Sequence, residues 1–191
     1  NYLYPKYDKF ISNLVANINE NESVIDIGAN VGDTLVRLIG SNSKPNYYSI
    51  EADEYFFKYL KKNKENISNT QNRITLIKEL VGIDLIGNLS NTTTGTKALV
   101  ESDDGLKTRK LDEIIIENNI KNIVLIKVDV DGYDYNVLFS GMNQIKKYKP
   151  VLFFEYMSLN EFGYIDLINK LHEIGYENWT ALNNYGEIIF E

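Results

Sequence analysis

Cysteine is absent from this chain, which excludes disulfides and zinc–thiolate sites while leaving the redox compartment open. Histidine occurs once, at His172, late in a helical stretch and at the rim of its apolar face, so it reads as a surface residue rather than a base. No apolar run approaches the roughly 20 residues that a membrane span needs, and no secretory leader is visible, so a cytoplasmic protein is expected. Basic side chains are outnumbered, 20 against 27 acidic, for a net charge of −7. A nucleic-acid backbone is therefore a poor partner. What is present, 43% hydrophobic and 25% charged residues over 191 positions, is the balance of one soluble domain with a substantial core.

Residues 24–33, Val-Ile-Asp-Ile-Gly-Ala-Asn-Val-Gly-Asp, organise the rest. Val24, Ile25 and Ile27 make the short apolar run of a buried parallel strand. Gly28 and Gly32 bracket a tight turn, and Val31, Leu35, Leu38 and Ile39 follow at helical spacing. Strand, glycine turn and helix start form a cradle in which helix N–H groups face a small polar ligand. Asn30 stands where a dinucleotide fingerprint needs its second glycine, which disfavours a diphosphate. Asp26 and Asp33 add negative charge, which suits a ligand carrying an ammonium group. An ordinary strand-to-helix turn, with glycines for packing, is the bland alternative.

Along the chain, residues 1–22 read as a leading helix with Phe10, Leu14, Val15 and Ile18 as its apolar side, a packing element before a lid or a dimer contact. A second strand, Tyr47 to Ile50, ends at Glu51. Asp53 is a credible N-cap for a helix with apolar positions Phe56, Tyr59 and Leu60. A third strand, Ile74 to Ile77, is followed by Glu79 and Leu80. Residues 82–110 break the pattern with a polar loop from Asn88 to Thr96, a short strand at Ala98 to Val100 and an Asp-Asp-Gly turn at 103–105. This insert is expected to shape the acceptor site and to be mobile without substrate. A helix follows from about Leu111 to Glu117. Ile123 to Val128, the most apolar strand, ends in Asp129-Val130-Asp131-Gly132. After Pro150, Val151 to Phe154 leads to Glu155, and Ser158 with Glu161 has capping-box spacing for a helix reaching Gly175. Tyr176 to Leu182 and Glu187 to Phe190, around Asn-Asn-Tyr-Gly, read as a terminal hairpin.

Alternating strands and helices imply one α/β domain over residues 1–191, with a mostly parallel sheet covered by helices on both faces. The expected order is seven strands, 3-2-1-4-5-7-6, with strand 7 antiparallel. Right-handed crossovers bring Gly28, Glu51, Glu79, Asp129 and Glu155 to one edge, where ligands bind. Glu51, 19 positions past Gly32, can accept two hydrogen bonds from ribose hydroxyls. Glu79 can accept from an adenine amino group while the Leu80 N–H donates to a ring nitrogen. Either carboxylate alone is as well read as a surface charge. Together with the first turn they describe adenosine joined to an amino-acid head, which is S-adenosylmethionine.

VIDIGANVGDT (24–34), SIEAD (49–53), the Leu111-Asp112-Glu113-Ile114 helix start, IKVDVDGYDYNVL (126–138) and PVLFFEY (150–156) resemble the class I methyltransferases, and within them the FkbM family. The resemblance covers about Val24 to Tyr156. It implies a Rossmann-like sandwich and methyl transfer from S-adenosylmethionine to a hydroxyl, on a sugar, glycan or related small metabolite. It implies cofactor contacts at Asp26, Gly28, Asn30, Gly32, Asp33, Thr34, Glu51, Ala52, Glu79, Leu80 and Asp129. Asp131 and Asp134 stand where the family more often has glutamates, which keeps the charge and shortens the reach. Asp129 is the first choice to position or deprotonate the acceptor, with Asp131 and Glu155 next and Lys127 fixing their charge state. Carboxylates this close could instead hold a divalent cation. Asp129 or Asp131 could also simply cap the helix after Gly132. Two rival functions stay open: a methyltransferase-like binding module without turnover, and a nicotinamide-dependent oxidoreductase, disfavoured by Asn30 and the hairpin.

Overall fold

A computed structural model describes residues 7–67, 71–91, 97–157, 160–183 and 187–190. Residues 1–6 of the leading helix, 92–96 of the polar loop, Ser158 of the capping box and 184–186 of the hairpin turn lie outside the described residues.

The first half is a run of parallel strands and covering helices. Helix α1 (Tyr7–Val15) precedes β1 (Ser23–Ile27), α2 (Asp33–Ser41), β2 (Asn46–Ile50), α3 (Glu54–Glu65) and β3 (Ile74–Ile77). All five residues of β1 are buried, as a strand covered on both faces requires. The second half supplies α4 (Leu111–Glu117), β7 (Ile123–Val128), α5 (Asp134–Ser140), α6 (Met142–Tyr148), β8 (Val151–Phe154) and α7 (Glu161–Glu173). Between the halves lie β4 (Ile86–Asn91), β5 (Lys97–Glu101) and β6 (Leu106–Lys107), and β9 (Ala181–Leu182) and β10 (Ile188–Phe190) close the described chain.

The main sheet has five strands in the order β3-β2-β1-β7-β8, all parallel. On one face Val24, Tyr47, Ile74 and Leu125 pack under Ile11 and Val15 of α1, Leu35 and Leu38 of α2, and Phe57 and Leu60 of α3. On the other Ile25, Ile50, Ile126 and Val128 meet α4 to α7 through Ile114, Leu138, Ile145 and Leu167. The leading helix is thus a packing element. In α3 the buried positions are Phe57 and Leu60, while Tyr59 is exposed.

The expected seven-stranded order is not what forms. Among the described residues, β9 and β10 pair only with each other, antiparallel, and the main sheet ends at β8. Two and three residues offer few ladder bonds, and Ile188 and Ile189 remain 53% and 66% exposed, so no apolar face drives the hairpin onto the β8 edge. The 82–110 insert also differs. Asn88 to Asn91, the described part of the expected polar loop, belong instead to Ile86–Asn91, the central strand of a three-stranded antiparallel sheet, order β5-β4-β6. Gly87 makes this sheet fit, because a Cβ there would lie 2.3 Å from the Val100 carbonyl oxygen. At the start of α7 the N-cap is Asn160, whose Nδ2 donates to the Gly132 carbonyl at 2.6 Å rather than to its own helix.

Candidate active site

The register across β2, β1 and β7 aligns Ser49, Asp26 and Lys127, one layer beneath the strand ends. Lys127 is 4% exposed and its ammonium lies 3.1 Å from Asp26 and 3.3 Å from Asp129. Burial alone would favour the neutral amine, but the two facing carboxylates outweigh it and hold the lysine pKa above its ordinary value. Lys127 therefore stays charged and ties the exposed Asp129 carboxylate to the sheet. Asp26, 2% exposed, is the buried anchor of this pair rather than a ligand contact.

At the glycine turn, the N–H groups of Gly28 and Ala29 both donate to the Ile50 carbonyl, and that of Gly32 to Ala29. Asn30 adopts a left-handed φ of 50° and donates its N–H to Glu51 Oε2 at 2.8 Å. Asp53 N–H donates to Glu51 Oε1, also at 2.8 Å. These donors belong to the protein, so the turn works mainly by placing Glu51. That carboxylate is 8% exposed, and burial pushes its pKa up despite the backbone donors. Each oxygen keeps a lone pair for a ligand. Gly28 is needed for a different reason than expected. At φ 78°, a Cβ would sit 1.9 Å from the Asp129 carbonyl oxygen, so the glycine lets the ends of β1 and β7 close on each other. At Gly32 a Cβ would strike Leu60 at 2.6 Å. Asp53 caps α3 as expected, accepting from the Tyr55 and Phe56 N–H groups.

The turn after β7 is held by a group of its own. Asp134, fully buried, accepts the Val130 N–H at 3.4 Å and the Glu155 N–H at 3.2 Å, clamping the ends of β7 and β8. Burial is the main cause that pushes its pKa up to about 6, with nearby Asp129 and Glu155 adding to it. Neither Asp129 nor Asp131 caps α5, whose N-cap is Tyr133 with no side-chain cap bond. Asp131 instead takes a left-handed φ of 51° ahead of Gly132. Burial, then the Asp129 and Asp131 charges, raise the pKa of Glu155, so these three carboxylates share one neighbourhood.

A cleft of about 260 Å³ opens at this edge. Of the residues expected to hold the cofactor or act on the acceptor, Gly28, Asn30, Asp33, Thr34, Glu51, Ala52, Glu79, Leu80, Asp129 and Asp131 line it. Asp26, Gly32 and Glu155 do not line it; Asp26 pairs with Lys127, which does. The sequence reading missed its apolar wall, Phe56 from α3 with Leu85, Leu89 and Leu99 from the insert, and also Tyr133. The signal for Leu89 and Leu99 is their opposition across the β4–β5 ladder, which puts them on one face. Five lining residues are carboxylates, Asp33, Glu51, Glu79, Asp129 and Asp131, against one lysine. That excess of negative charge fits a ligand carrying an ammonium and a sulfonium and opposes one carrying two phosphates. No group of three or more His, Asp or Glu is arranged to hold a metal among the described residues, so the divalent-cation reading has no support.

Known proteins resemble this arrangement. Residues 26–178 match the methyltransferase FkbM domain. No curated protein matches the chain significantly. Among solved structures, the methyltransferase FkbM from Methylobacillus flagellatus KT is 23% identical, with a TM-score of 0.61 over 83% of this chain and 38% of that one. This chain thus spans well under half the length of that relative. A putative rRNA-methylase from Clostridium thermocellum (10% identity, TM-score 0.55, 94% and 85% covered) has the same fold. So does a precorrin-6y C5,15-methyltransferase from Geobacter metallireducens GS-15 (10% identity, TM-score 0.54, 91% and 72% covered). With the domain match spanning both the glycine turn and the carboxylates after β7, the chain belongs to the FkbM family of S-adenosylmethionine-dependent methyltransferases.

Proposed function

We propose that this protein transfers a methyl group from S-adenosylmethionine to a hydroxyl of a sugar, glycan or related small metabolite. The observation that carries the cofactor assignment is the lining of the cleft, five carboxylates around one buried lysine, with Glu51 held ready by two backbone donors. Glu51 would accept the ribose hydroxyls, and Asp33 and Thr34, at the start of α2, would face the amino-acid head. Glu79 and Leu80 would meet the adenine edge against Leu85 and Val81. When bound, S-adenosylmethionine supplies a methyl already activated by its sulfonium, so the protein has only to align an acceptor and remove one proton.

Asp129 is the residue we assign to that task, which its position at the end of the strand beside β1 and its 45% exposed side chain support. Lys127 holds one of its oxygens and leaves the other to accept from an acceptor hydroxyl. As an acceptor hydroxyl attacks an activated methyl, this carboxylate would take the hydroxyl proton. Asp131 and Tyr133 border the same space and would orient the acceptor. Titration with S-adenosylhomocysteine and with NAD tests the reading. Heat from the first and none from the second is expected; the reverse would discard it.

A further inference from the structure

We propose that Arg109 is a positioning residue for Glu79 and thereby sets the nucleobase specificity of the cofactor site, an inference that rests on the S-adenosylmethionine reading above. Glu79 follows β3 and lines the cleft with a side chain 29% exposed. Its Oε1 accepts from Arg109 Nη1 at 2.8 Å, and Arg109 Nη2 donates to Glu117 Oε1, on the last residue of α4, at 2.6 Å. The guanidinium is strung between two carboxylates, which fixes its plane as well as its position.

The main chain repeats the connection. Arg109 N–H donates to the Leu80 carbonyl at 2.7 Å, Gly82 N–H donates to the Arg109 carbonyl at 2.9 Å, and Val81 and Arg109 form an isolated parallel bridge. Residues 79–82 and 109 therefore move as one piece. An exposed or half-exposed ion pair adds little to stability, so support of the fold does not account for this much bonding at the cleft wall. Its effect is to clamp one oxygen of Glu79 while the other keeps its lone pairs. A fixed acceptor beside the apolar Leu80, Val81 and Leu85 selects a base with an exocyclic amine. It rejects one with an exocyclic carbonyl, because two acceptors would then face each other unpaired.

The test compares S-adenosylhomocysteine with its 6-oxo counterpart, S-inosylhomocysteine, by calorimetry on the full chain. The wild type should prefer the adenine compound by roughly 10–100-fold, the scale of one mispaired polar group. Arg109→Met should bring the two affinities within about threefold of each other while its melting temperature stays close to that of the wild type, as for other half-exposed pairs. Should Arg109→Met fail to fold, Arg109→Lys takes its place. One ammonium cannot span both carboxylates, so the preference should fall to an intermediate value. Binding of neither compound by the wild type would overturn the cofactor reading itself. Equal binding of both by the wild type, or an undiminished preference in the folded variant, would overturn the role of Arg109 and leave the cofactor reading standing.

Discussion

Asp129 and Glu51 end strands on either side of β1 yet should fail in different ways when changed. Asp129 is half-exposed and anchored at one oxygen by Lys127, so Asp129→Asn keeps the shape and removes the proposed base. Methyl transfer should drop by about 10²–10⁴-fold, with S-adenosylhomocysteine affinity nearly unchanged in calorimetry. Glu51→Ala should instead weaken that affinity by about 1–3 kcal/mol, since ribose hydroxyls and two backbone N–H groups all lose an acceptor. Asp134 carries the clearest pH signature. Its folded pKa of about 6 lies above its ordinary 3.8, so its stabilising contribution is complete below pH 3.8 and disappears as pH rises through 6. The ionised, buried carboxylate then costs about 3 kcal/mol at neutral pH. Denaturant unfolding from pH 4 to 7 should show Asp134→Asn gaining on the wild type by about that amount, whatever the offset between them at pH 4. Parallel curves would show that Asp134 does not titrate in this range.

Among elements, the insert is where sequence and structure part most. The parallel strands were legible because each is a short apolar run with a carboxylate or glycine at its end, as Val24–Gly28 and Ile123–Asp129 are. Most of the cleft's polar lining lies at or just past those ends. The sheet formed by β4, β5 and β6 was hidden, because Gly87, Asn88 and Ser90 make Ile86–Asn91 polar on average. Its logic is two-sided: Leu89 and Leu99 turn to the cleft while Asn88 Nδ2 reaches out to Ser102 and Asp104. The roles of Asp26 and Lys127 were hidden for another reason. A charge inside a strand is intelligible only once its partner across the sheet is known. The insert now calls for a prediction opposite to a mobile loop. Amides of Asn88 and Val100 lie in the hydrogen-bonded register set by the Ser102 N–H to Ile86 carbonyl bond, and should exchange more slowly than those of the 103–105 turn without any ligand. Leu99→Ala, at a site only 8% exposed, should lower stability by about 2 kcal/mol in denaturant titration and also weaken S-adenosylhomocysteine binding.

For the whole molecule, charge and topology have separate consequences. A net charge of −7, with the cleft itself acidic, attracts a cationic ligand over a distance set by the ionic strength. S-adenosylmethionine carries one positive charge more than its demethylated product. Raising salt from about 50 to 500 mM should therefore cut its affinity about threefold more than that of S-adenosylhomocysteine, which titrations at both salts would show. Topology bears on how the site comes into being. Its two halves meet where β1 pairs with β7, and that ladder joins Ser23 to Ile123 across a hundred positions of chain. Such a long loop closes late and slowly. The Asn30–Glu51 turn can form early, but the closure of Gly28 on Asp129 cannot, so the ligand has nothing complete to bind during most of the folding reaction. Saturating S-adenosylhomocysteine should leave the refolding rate unchanged and act only by slowing the return to the unfolded chain.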